Sequence, residues 1–97
     1  MSQSESQQIK NIKDRYKASF GEKIELLNHQ RDILVADKAA SEKLFEIIHK
    51  LAGSSGMYGY DDISDLCRHI MAEADNSDAD EIEASMAKLV TLFEHYS

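Results

Sequence analysis

The chain has no proline and a single cysteine. Without proline nothing interrupts a helix interior by removing a backbone donor, so long continuous helices are open to it. A lone Cys67 excludes an intramolecular disulfide. It stands beside Leu66 on an apolar stripe, where a buried thiol is expected. Basic residues are also scarce: 11 Lys and Arg face 18 Asp and Glu, for a net charge of −7. That balance opposes binding to nucleic acid, which needs a basic face, and to an anionic membrane surface. No apolar stretch approaches the ~20 residues needed to cross a bilayer. The opening Met1-Ser2-Gln3-Ser4-Glu5 is polar with no apolar run behind it, so no signal peptide is expected. A soluble, cytoplasmic protein follows. Period-two strand patterning and solenoid-length repeats are missing too. So are a P-loop, a Gly-rich nucleotide fingerprint and a metal-ligand cluster, and the chain is expected to carry no ATP, metal or cofactor site of its own.

What is present is helical periodicity. Ninety-seven residues, 42% of them hydrophobic, make one domain spanning 1–97, with 1–4 expected to be disordered. Ile9, Ile12, Tyr16 and Phe20 form the apolar edge of a first helix that also carries Lys10, Lys13, Arg15 and Lys17, read as a solvated face. Ser19 and Glu22 resemble a capping box and mark a break, although the apolar phase runs on through Ile24, Leu27 and Leu34, so one long kinked helix stays open. This second segment ends near Ala36. Asp37 then caps a third helix from Lys38 to about Ser55, with a turn at Gly56–Gly59. Asp61 and Asp62 start a fourth helix, whose stripe is Ile63, Leu66, Cys67, Ile70 and Ala74. After an Asn76-Ser77 connection, Asp78 to Glu81 offers another box-like start. The fifth helix buries Ile82, Met86, Leu89, Val90, Phe93 and Tyr96. Short turns between helices favour antiparallel neighbours. The expected fold is all-α: an antiparallel up-down four-helix bundle with an additional N-terminal helix over one end.

One stretch concentrates the unusual residues. Of the four glycines, Gly53, Gly56 and Gly59 all fall between His49 and Tyr60. At about 100° per residue, Leu44, Ile47, Ile48, Leu51 and Ser55 gather on one side, and His49 points roughly 150° away, into solvent. Gly53 lies one turn after His49 on the same face, and Gly56 extends the strip. A glycine inside a helix costs about 1 kcal/mol relative to alanine. A bare approach to the imidazole for a large partner would compensate; alternatively both glycines are the frayed end of the helix, with Gly59 the residue past its cap. A neutral imidazole, with a pKa near 6.5, keeps one nitrogen free to act as a nucleophile at neutral pH.

The segment His49, Leu51, Ala52, Gly53, Ser54, Ser55 and Gly59 resembles the signature of the histidine-containing phosphotransfer (HPt) family, in its Leu-Ala-Gly variant. The likeness extends upstream through Leu44-Phe45-Glu46-Ile47-Ile48 and downstream through Tyr60 and Ile63 to Leu66-Cys67. The resemblance implies a phosphocarrier rather than an enzyme, phosphorylated on His49 and working in a two-component phosphorelay. Its partners would be receiver domains of response regulators or of a hybrid sensor kinase, which bring their own Mg²⁺ and a phosphorylated aspartate. Phe45, Glu46, Lys50, Ala52, Gly53 and Gly56 would form the docking face of a monomer. Many family members carry Lys where this chain has Ala52, which leaves open the source of positive charge near a phosphorylated ring; Lys43 and Lys50 reach partway. Glu46 either orients the ring or is a solvated carboxylate, and Phe45 is either a docking contact or the edge of the core. Two other readings remain: a helical adaptor that binds a receiver or kinase without chemistry, and a metal-binding bundle using His49 and His69. His29, His69 and His95 stand on different helices, without the spacing of a helical zinc site.

Overall fold

The computed structural model describes residues 5–73 and 78–97. Among them are five helices and no strand: α1 (Glu5–Ala18), α2 (Phe20–Asp37), α3 (Glu42–Met57), α4 (Asp61–Glu73) and α5 (Ala79–Tyr96). Residues 1–4, Ala74, the Asn76-Ser77 connection and the Ile9 side chain lie outside what is described. No helix among the described residues is long and apolar enough to cross a membrane.

Only Ser19 separates α1 from α2. The expected capping box is not made there. Ser19 keeps a near-helical backbone (φ −89°, ψ 0°) and its side chain caps nothing, whereas an N-cap needs the extended region. Its hydroxyl instead donates back to the Tyr16 carbonyl at 2.6 Å and accepts from Lys23 Nζ at 2.8 Å. The chain therefore passes from α1 into α2 through a near-helical residue rather than restarting.

The α2–α3 junction departs from expectation more clearly. Asp37 is the last residue of α2, not a cap, and Lys38 is its left-handed C-cap (φ 59°), with its N–H on the Leu34 carbonyl. The cap of α3 is Ser41: extended at φ −85° and ψ 158°, it accepts from the Leu44 N–H at 3.1 Å. Ser41 Oγ also reaches the buried Gln30 Oε1 at 3.2 Å, tying the start of α3 to α2. At α5 the expected cap does form, with Asp78 Oδ1 accepting from the Glu81 N–H at 2.9 Å.

The core is built from Phe20, Leu27 and Leu34 of α2, Leu44 and Ile48 of α3, Ile63, Cys67 and Ile70 of α4, and Met86, Leu89 and Phe93 of α5, all essentially inaccessible to solvent. α3 packs on α4, α2 on α5, and α4 on α5, while α1 meets the rest mainly at the α2 end. Rings close that end. Phe20 sits edge-on to Tyr16, Tyr60 and Phe93, Tyr58 stacks on Tyr16 at 4.6 Å, and Tyr96 packs on Tyr60. Such contacts add about 0.5–1.5 kcal/mol each beyond the buried area, so α1 is anchored through Tyr16 although most of it stands clear of the core.

Candidate functional site

The site is assembled on α3. Its buried face, Leu44, Ile47, Ile48, Leu51 and Ser55, fixes the rotation of the helix and so turns His49 to solvent. Among the described residues no side chain hydrogen-bonds or ion-pairs with the His49 ring. Glu46 does not orient it: that carboxylate accepts from Lys50 Nζ at 3.1 Å, an exposed pair one turn apart. The hydrogen bond from Lys50, helped by the charges of Lys43 and Lys50, holds the Glu46 carboxyl below the usual range. Lys50 is in turn engaged with Glu46, in a pair open to solvent. Phe45 is half-buried.

The three glycines have three different environments. At Gly53 an added Cβ would meet nothing within 4 Å. At Gly56 the same atom would lie 3.1 Å from Ser64 Oγ, 3.6 Å from Ser64 Cβ and 4.0 Å from Arg68 Nη2. Gly56 is thus half-buried against α4 rather than an extension of the bare strip. The reason is the short link between the helices, which brings the start of α4 hard against the last turns of α3. Gly59 has φ +85°, the left-handed position past a helix end that glycine fills without steric cost. Around it the Gly59 N–H reaches the Gly56 carbonyl at 3.2 Å and the Tyr60 N–H reaches the Ser55 carbonyl at 2.8 Å, the two bonds of a Schellman motif. Gly59 is therefore the residue past the cap, while Gly53 and Gly56 are fully helical rather than frayed.

Ala52 also leaves the docking face. It is 6% exposed, and its carbonyl accepts from the buried Ser64 hydroxyl at 2.7 Å. A position turned into the α3–α4 contact cannot present its side chain to a flat partner. Of the expected docking residues, Glu46, Lys50 and Gly53 are exposed beside His49, Phe45 is at the margin, and Ala52 and Gly56 belong to the packing beneath.

Some participants were not singled out from the sequence. Ser64 is one, Arg68 another. A third is Tyr16, whose hydroxyl lies 2.7 Å from Ser54 Oγ and 2.9 Å from Ser55 Oγ, so that α1 is pinned to the turn of α3 that follows Gly53. Beyond that turn, Ile12, Lys13, Met57, Tyr58 and Gly59 line an open cleft of about 480 Å³. Serine and tyrosine hydroxyls carry no hydrophobic period, so they were legible only as small or aromatic residues near a helix end.

The chemistry available is narrow. Cys67 is fully buried and its thiol is pushed up to about 12 by loss of solvent, which leaves no thiolate to react. Among the described residues no three His, Cys, Asp or Glu side chains gather as metal ligands, and His49 and His69 share no third donor. An accessible imidazole beside a bare helical turn is what stands out.

Comparison with known families matches residues 11–94 to the model described as "Hpt domain". No curated protein and no solved structure matches the chain.

Proposed function

The chain belongs to the Hpt domain family, and from that premise we propose that it is a histidine phosphotransfer intermediate of a two-component phosphorelay, phosphorylated on His49. The observation that carries this reading is the exposure of the His49 ring next to Gly53, with no neighbour among the described residues competing for either nitrogen. The donor is the aspartyl phosphate of a receiver domain. The Nε2 lone pair forms the N–P bond as the aspartyl O–P bond breaks. The carboxylate leaves with the electron pair, and Nδ1 keeps its proton. Run backwards, the same step loads a second receiver. The partner supplies Mg²⁺ and the acidic pocket, so this chain needs no ATP, metal or cofactor. Its contribution is position: a rigid helix presents the nucleophile in line, and such positioning accounts for much of phosphoryl-transfer catalysis.

The architecture that suits this role is one domain, an antiparallel up-down arrangement of α2 to α5, acting as a monomer in the cytoplasm alongside its receivers. The test is transfer from a ³²P-labelled receiver. Wild type takes up acid-labile phosphate and His49→Gln takes up none, while keeping its helical circular dichroism. Label retained by His49→Gln would sink the assignment. Receiver binding without label on the wild type would favour the non-catalytic adaptor instead, a reading kept in view by Ala52 standing where lysine is common.

A further inference from the structure

Resting on the phosphotransfer reading, we propose that Arg68 of α4 is the cation that holds the phosphoryl group once it is on His49, in place of the lysine that Ala52 lacks. Gly56 follows His49 by seven residues, nearly two full turns, so the two lie within about 20° on the same side of α3. The Arg68 guanidinium lies beside Gly56, with Nη2 4.0 Å from where its Cβ would stand. The guanidinium is thus within van der Waals range of the Gly56 position, while the tight contact there is with Ser64 Oγ at 3.1 Å. Ser64 is opposite Gly56 and bonded to the Ala52 carbonyl. Since α4 returns along α3 after the turn at Tyr58–Tyr60, moving one turn on from Ser64 to Arg68 advances about 6 Å back toward His49. The base of the Arg68 side chain therefore stands between Gly56 and His49, and its long stem can swing either way.

Of the other cations, Lys50 and Lys13 have partners, and Lys43, exposed, stands about 120° round α3 from His49. Lys50 Nζ is bonded to Glu46 at 3.1 Å. Lys13 Nζ sits over the Tyr60 ring, 4.7 Å from its centroid, at the far end of the bundle. Arg68 has only a loose pair with Asp65 at 3.5 Å, and both side chains are well exposed. Exchanging that carboxylate for a phosphoryl group costs little. A guanidinium also offers two parallel donors to a phosphoryl group, which an ammonium does not. Arg68 contacts the transferred group and leaves the nucleophile untouched.

Two measurements on the full chain test this. In transfer from a phosphorylated receiver, Arg68→Gln slows loading of His49 about tenfold, the loss of one charge-assisted contact. Arg68→Lys recovers part of that rate, as a role confined to packing would not. In the second, phosphoramidate phosphorylates the imidazoles without any receiver, and the Arg68 Nε–Hε resonance is followed by NMR. It shifts on phosphorylation of the wild type and stays put in His49→Gln, even though the neighbouring His69 is still modified. Equal loading rates for wild type and Arg68→Gln would overturn the proposal. So would an Arg68 resonance that fails to move, or that moves equally in His49→Gln. If receivers load no phosphate onto the wild type, the relay reading fails, while the resonance still reports whether Arg68 meets a phosphoryl group on His49.

Discussion

Gly53 and Gly56 are three residues apart on one helix, and their surroundings are opposite. Around Gly53 there is open space: nothing lies within 4 Å of where a Cβ would be. Around Gly56 there is too little, because Ser64 Oγ stands 3.1 Å from the same point and is held there by its 2.7 Å bond to the Ala52 carbonyl. Each forgoes about 1 kcal/mol of helix propensity relative to alanine. At Gly56 the compensation is close contact between α3 and α4, a matter of stability. At Gly53 no contact among the described residues compensates, and on the relay reading the compensation is access for whatever approaches His49. One residue type in one short motif thus serves packing at one position and, on the relay reading, access at the other.

The largest effect that separates the two is expected from leucine. Gly56→Leu forces a branched side chain into the contact with Ser64 and Arg68, and overpacking of this kind costs about 3 kcal/mol. Urea denaturation would show a markedly lower midpoint. Gly53→Leu should leave the stability within about 0.5 kcal/mol of wild type or above it, as an exposed substitution does, yet slow phosphoryl transfer by about tenfold or more through obstruction of the partner. If Gly53→Leu transfers phosphate at the wild-type rate, the access half of the comparison is lost. If Gly56→Leu is as stable as wild type, the packing half goes instead.

The sequence made one side of this contrast readable. The exposure of His49 and its alignment with Gly53 follow from helical periodicity within α3 alone, and the buried stripes of α3 and α5 were legible for the same reason. The identity of Gly56 was not, because its partner Ser64 belongs to another helix and a small polar residue leaves no mark in an apolar pattern. Ala52 was misread in the same way: its burial depends on α4 crossing over it. The start of α3 was ambiguous for a local reason. Asp37 and Ser41 are both good capping residues, and the choice fell to Ser41, which alone is placed to bond Gln30 of α2 as well. The Ser19–Glu22 pair had the right residue types, but the backbone at Ser19 never leaves the helical region.

Alanine gives the smallest effects and the cleanest separation, because it restores helix propensity with one carbon. Gly53→Ala should raise stability by about 1 kcal/mol, since the new methyl group meets only solvent. Gly56→Ala should lower it. The methyl would press on an oxygen that cannot retreat without stretching a buried hydrogen bond, which contributes about 1 kcal/mol in addition to the contact strain. Removing that oxygen reverses the sign. In a Ser64→Ala background the nearest remaining Ser64 atom is the Cβ, which at 3.6 Å from the added carbon is an ordinary contact. Gly56→Ala should then stabilise by nearly as much as Gly53→Ala does. A double-mutant cycle between positions 56 and 64 measures this coupling directly, and the cycle between 53 and 64 should close to within about 0.3–0.5 kcal/mol of additivity. A Gly56→Ala protein already more stable than wild type, with no coupling to Ser64, would mean that α4 yields freely at this contact, and that Gly56, like Gly53, must be accounted for by the partner rather than by the fold.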